Sequence, residues 1–133
     1  MLKERVQTVQ DVDVVIMDSI SSVSAGDAGT IVVSASHGGA SSGEFAMRHR
    51  LGLVFFNDAG VGKDDAGVRS LAMLEGIGVP AATISHASAR IGDARDHWDH
   101  GVLSHVNDAA QARGLRPGQD VRAAAQAFLA RPQ

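Results

Sequence analysis

The chain has no cysteine and no tyrosine, and only one tryptophan, four phenylalanines and three prolines among its 133 residues. Without cysteine there is no disulfide framework, no thiolate nucleophile and no Cys-ligated metal site, so any chemistry must run on oxygen and nitrogen groups. With few aromatics, the core must be built from abundant Ala and Val. Small side chains pack closely but each removes little area from water, which predicts a homo-oligomer stabilised partly by subunit association. No apolar run is long enough to span a bilayer. The first residues, MLKERVQTVQDVD, lack the apolar stretch and small-residue cleavage site of a leader, so the expectation is a cytoplasmic protein with no membrane partner. Twelve basic and fifteen acidic residues give a net charge of -3 with no block of either sign. That pattern offers no electrostatic footprint for nucleic acid and favours a small-molecule partner.

What is present reads as one α/β domain over residues 1–133. Four apolar runs rich in Val, Ile, Phe or Ala, at residues 12–17, 31–35, 51–56 and 79–84, predict strands. Each is nearly continuous, as expected of strands covered on both faces. The fold expected is a layered one with a mostly parallel central sheet of about four or five strands covered by helices. The turn-rich segment SSVSAGDAGT between the first two runs is too short for a crossover helix, which suggests an antiparallel hairpin there. Residues 65–77 predict a helix with Asp64 as N-cap, Val68, Leu71 and Leu74 on one face, and Gly76 and Gly78 at its end. It would form a right-handed crossover between the third and fourth strands. A polar helix is predicted over residues 94–113, and RPGQDVRAAAQAFLA predicts a last helix capped by Asp120.

Ligands of open parallel sheets bind outside the carboxyl ends of the strands, and the segments leaving three of those ends are polar and glycine-rich. The first, SASHGGASSGE, offers Ser36, His37, Gly38 and Gly39; glycine N–H groups there can face a ligand oxygen, although the same residues suit a tight strand-to-helix turn. The second, NDAGVGKDDAG, offers Asn57, Asp58 and Lys63, with Asp58 as a base and Lys63 offsetting negative charge. It lacks the Gly-Lys-Ser/Thr pattern of a nucleoside triphosphate loop. The third, SHASARIGD, offers His86 as a proton shuttle, the Ser88 hydroxyl, and Arg90 either as an anion clamp or as a local ion-pair partner of Asp93. In DARDHWDH, the pairs Asp93/His97 and Asp96/His100 have helical i,i+4 spacing that suits a divalent ion as well as a solvated face. No third ligand can be named, so no metal or other cofactor is assigned. Trp98 suits a pocket wall or a core anchor.

The order SASHGG, LVFFNDAG, DDAGVRSLAML and GVPAATISHASA is similar to the central and C-terminal part of methylglyoxal-synthase-like domains, over residues 31–88. Those domains run a Gly-Gly loop, an apolar strand ending in Asp, a crossover helix and a strand with the flavour of IPVAT. The resemblance implies a layered α/β fold and a small anionic ligand at that sheet edge, with Gly38, Gly39 and Asp58 as the positions that carry over. The family's Gly-Thr-rich phosphate loop has no counterpart in residues 1–30, and Lys63 stands where a His is sought, so methylglyoxal synthesis itself is not implied.

From the residues, the expectation is an enzyme acting on a small carboxylate- or phosphate-bearing metabolite, first as a hydrolase of an amide or related bond. His37, Asp58 and His86 would be catalytic; Ser36, Gly38, Gly39, Asn57, Lys63, Ser88 and Arg90 would bind substrate. The Ser36, Ser42 or Ser88 hydroxyl would attack, although no G-x-S-x-G elbow is present, and direct attack by water is the alternative. A lyase or isomerase working beside a carbonyl, and a non-catalytic metabolite-binding or accessory subunit, are the alternatives.

Overall fold

Each predicted apolar run forms a strand, and their alternate residues feed two different cores. In the computed structural model, which describes residues 1–131, six strands form one sheet in sequential order. They are β1 (Lys3–Val9), β2 (Val12–Met17), β3 (Ile31–His37), β4 (Leu53–Asn57), β5 (Ala81–Ile84) and β6 (Leu103–Val106). Strands β2 to β5 run parallel, while β1 and β6 pair antiparallel at the two edges. The sheet is thus mixed, with six strands where the sequence suggested four or five.

Among the described residues five α-helices cover it: α1 (Ala40–Met47), α2 (Arg69–Glu75), α3 (Ala94–His100), α4 (Asp108–Ala112) and α5 (Val121–Ala130). Because strand side chains alternate, Val14, Ile16, Ile31, Val33, Leu53 and Phe55 point to one face. There they pack with Trp98 of α3 and with Val121, Ala124 and Phe128 of α5. Val15, Met17, Val32, Val54 and Phe56 point to the other face, where Ala46 of α1 and Leu71 and Leu74 of α2 cover them. Phe55 and Phe56 are fully buried on opposite faces, each contributing about 2 kcal/mol of hydrophobic stabilisation. Trp98 is one of the core anchors rather than a pocket wall.

Three sequence expectations need correction. The runs that form β2 and β3 are parallel, not a hairpin: residues 18–30 make the crossover with two single 3-10 turns, Ile20–Ser22 and Ala25–Asp27, instead of an α-helix. The hairpin lies one strand earlier, between β1 and β2, around Gln10 and Asp11, which both have positive φ (53° and 65°). Its primed-type turn lacks the Asn-Gly signal that advertises such turns. Helix α2 starts at Arg69, because Asp64 and Asp65 adopt left-handed conformations within a 3-10 segment, Lys63–Val68. Finally, the polar helix expected over residues 94–113 is broken by Gly101, whose extended backbone lets Leu103 to Val106 pair with β5 before Asn107 caps α4.

Candidate active site

Because β3, β4 and β5 are parallel neighbours, the three polar loops leave the sheet from one edge. His37 ends β3, Asp58 follows β4 and His86 follows β5 by two residues. Strands β3 and β5 are two spacings apart, about 10 Å, so their side chains can reach one small molecule.

Asp58 is buried and its Oδ1 accepts from the Gly60 N–H (2.8 Å), the His86 N–H (3.2 Å) and His86 Nδ1 (2.9 Å). Burial by itself pushes this carboxyl up, but the Gly60 N–H, the Ser104 hydroxyl and the two His86 donors outweigh it and hold Asp58 below the usual carboxylate value. A charged Asp58 requires Nδ1 of His86 to carry the proton. The Nε2 lone pair of His86 is therefore free, on a side chain that is 60% exposed. A buried carboxylate that orients an imidazole and leaves its outer nitrogen as acceptor is the arrangement of a general base.

His37 has the opposite polarity. Its Nδ1 accepts from the Gly39 N–H at 3.0 Å, so in the neutral ring the proton sits on Nε2. Only glycine tolerates this approach, since a Cβ on Gly39 would lie 2.8 Å from that Nδ1. The same bond spends the Gly39 N–H, and the Gly38 N–H is spent on the Asn57 carbonyl at 2.8 Å. The pair does not form the oxyanion hole expected from the sequence. Donors at this turn come instead from the first turn of α1, which no side chain caps.

A cleft of about 530 Å³ opens beside it, lined by His37, Gly39, Ala40, Val61, Gly67 and Arg69 among others. No acidic side chain lines this cleft. Residues 59–62 form one wall and also carry Gly60 against the His86 ring, so the cleft and the Asp58–His86 pair share that turn. This turn is strained: Ala59 and Val61 have φ of 52° and 65°, and Asp64 and Asp65 beyond it 56° and 57°. For a β-branched residue such as Val61 the left-handed region is a genuine outlier, and clustered strain of this kind is characteristic of ligand-binding loops.

No family model, curated protein or solved structure matches the chain.

The remaining sequence candidates divide. Asn57 is fully buried and braces the fold: its Oδ1 accepts from the Ala59 N–H, while Nδ2 donates to the Ala89 carbonyl and to His97 Nε2. It does not face a ligand. The Ser36 hydroxyl accepts from the Ile20 N–H, and the Ser88 hydroxyl bridges the Ser85 carbonyl and the Val102 N–H, so both are committed to loop structure. Lys63 and Arg90 are exposed near the same edge, and neither side chain has a hydrogen-bond or ion-pair partner among the described residues. Arg90 does not pair with Asp93, whose carboxylate instead caps α3. His97 is buried between Asn57 and the Asp93 carbonyl, and Asp96 pairs with His100 at 2.9 Å; among the described residues no three candidate metal ligands converge.

Two participants were missed in the sequence. Arg69 lines the cleft, and only the true start of α2 reveals it. Ser104 of β6 helps to hold the Asp58 carboxyl low, although its hydroxyl hydrogen-bonds Thr83 and His105, and its strand has only four residues to signal it.

Proposed function

We propose that the chain is an enzyme that hydrolyses an amide or related bond in a small metabolite bearing a carboxylate or phosphate. The observation that carries this reading is the buried Asp58 holding His86 with its outer nitrogen free. In the proposed reaction, His86 Nε2 takes a proton from a water molecule as the water oxygen bonds to the carbonyl carbon. The Nε2–H of His37 donates to the developing oxyanion. Collapse of the tetrahedral intermediate breaks the bond to nitrogen, and His86 returns its proton to the leaving amine. Arg69 and the uncapped amides of α1 hold the anionic group, with Lys63 and Arg90 drawing it to the edge. Water is the nucleophile because no serine hydroxyl bonds the His86 ring among the described residues.

The opposite polarities of His37 and His86 favour a second reading, in which His86 abstracts a proton beside a carbonyl and His37 protonates its oxygen, as a lyase or isomerase would require. This is also the reading closer to the methylglyoxal-synthase-like resemblance. A panel of small carboxylate- and phosphate-bearing amides, incubated in ¹⁸O-labelled water, separates the two. Hydrolysis places one labelled oxygen in each acid product and stops in His86→Ala. Turnover without label moves the reaction to the second reading. Saturable stabilisation without turnover by any compound points to a non-catalytic metabolite-binding subunit. The homo-oligomer is likewise a proposal, and a monomer in sedimentation velocity ends it.

A further inference from the structure

The opposite edge of the sheet, where β2 to β5 begin, holds a second pocket of about 400 Å³ beneath α5. Its lining is chemically one-sided. Two guanidinium groups, of Arg50 and Arg113, are present with no Asp or Glu, and Leu51, Val79, Pro80 and Leu129 supply apolar walls. Arg113 is fixed in position: its guanidinium lies 3.8 Å over the Phe128 ring and donates through Nη2 to the Phe128 carbonyl at 3.0 Å. Its Nε is buried and meets no acceptor among the described residues. Arg50 is held at the rim through Nη1, which donates to the Ile77 carbonyl at 3.0 Å.

That Nε has no surface a ligand could reach, but Nη1 of Arg113 and Nη2 of Arg50 have no acceptor among the described residues, and guanidinium N–H groups of this kind donate strongly to a carboxylate. From the two arginines with unspent N–H groups, the absence of any acidic lining residue and the apolar walls, we propose that this pocket is a binding site for a small organic anion, a carboxylate on an apolar body, separate from the site at the carboxyl edge. The remaining Nη1 of Arg113 donates to the carboxylate, Arg50 adds charge at the mouth, and the apolar body lies against Leu51, Val79 and Pro80.

The test uses three probes on the full chain: benzoate, inorganic phosphate and benzyl alcohol, followed through the amide NMR signals of the glycines. Gly29, Gly52 and Gly78 line this pocket, whereas Gly39, Gly62 and Gly67 line the cleft at the other edge. Benzoate is expected to shift the first set saturably in the millimolar range and to bind roughly tenfold more weakly in Arg50→Met, as loss of a charge-assisted contact requires. Phosphate lacks the apolar body and benzyl alcohol the charge, so both are expected to bind more weakly than benzoate. Arg113→Met is expected to abolish the response. Arg50→Met, at the rim, keeps the test decisive if loss of the Phe128 contact unfolds Arg113→Met. Benzoate shifts confined to Gly39, Gly62 and Gly67, unchanged affinity in Arg50→Met, or benzyl alcohol binding as tightly as benzoate would overturn the proposal.

Discussion

Two histidines at one sheet edge are held in opposite tautomers by hydrogen bonds at Nδ1: His86 donates to the Asp58 carboxylate, and His37 accepts from the Gly39 N–H with the Ser42 hydroxyl also within 3.4 Å. Nitrogen-detected NMR of the imidazole rings, at a pH where both are neutral, is expected to show the proton on Nδ1 of His86 and on Nε2 of His37. Asp58→Asn removes the charge that fixes His86 and is expected to mix its tautomers. In the hydrolytic reading it also lowers kcat by about a hundredfold or more, the usual weight of a positioned general base. An unchanged ring in Asp58→Asn would detach Asp58 from any role in orienting His86. Ser104 acts on the same carboxylate from β6. Ser104→Ala should therefore raise the Asp58 pKa, read from its carboxyl carbon shift, while leaving the His86 ring in place.

Among the elements, the β4–α2 loop bears the clearest conflict between residue type and backbone. Ala59 is exposed and has a φ of 52°, a conformation glycine adopts without penalty. Ala59→Gly is expected to stabilise the fold by about 1 kcal/mol in chemical denaturation, since relief of left-handed strain exceeds the entropy that glycine adds to the unfolded chain. Weaker binding of a cleft ligand in that variant would tie the strain to preorganisation of the loop. Gly38 presents the reverse situation: a Cβ there would lie 2.4 Å from the Gly67 carbonyl oxygen. The β3–α1 turn and the β4–α2 loop touch backbone to backbone at this point. Gly38→Ala must push them apart, at a cost of about 2 kcal/mol, measurable in the same experiment.

Across the whole molecule, buried titratable groups set the response to acid. Burial holds the His97 imidazole below its ordinary value of 6.5, and the Asp93 carbonyl and nearby carboxylates offset this only in part. The folded chain then binds fewer protons at this site than the unfolded chain. The stability gained is present above 6.5 and is lost as pH falls through the folded value. Asp18, held low chiefly by the Ala94 N–H, and Asp58 make a second contribution that is lost as pH falls below about 3.8. The urea midpoint is therefore expected to drop in two steps on acidification, and His97→Gln to remove the first while sparing the second. A single step below pH 4 in the parent protein would show that His97 titrates alike in both states. Since His97 accepts from Asn57, the neighbour of Asp58, the first step should also loosen the carboxyl edge.

By composition and pattern alone the chain determined a good deal: the absence of any cysteine thiolate, an α/β architecture, four strands covered on both faces, and three loops with His37, Asp58 and His86 at their strand ends. These follow from local properties, because apolar runs and turn residues act within a few positions of themselves. The edge strands β1 and β6 escaped because one is polar and exposed over most of its length and the other is four residues long. Direction also escaped at β2 and β3, since two 3-10 turns did the work of a crossover helix. The tertiary structure decided which candidates are available to a ligand. It joined Asp58 to His86 across 28 positions, turned Asn57 inward to His97, and spent the Gly38 and Gly39 amides on internal acceptors. It also brought Arg69 into the cleft. A polar side chain at a strand end has the same sequence signature whether it meets a ligand or a neighbouring element, and only the partners that folding sets beside it decide between the two.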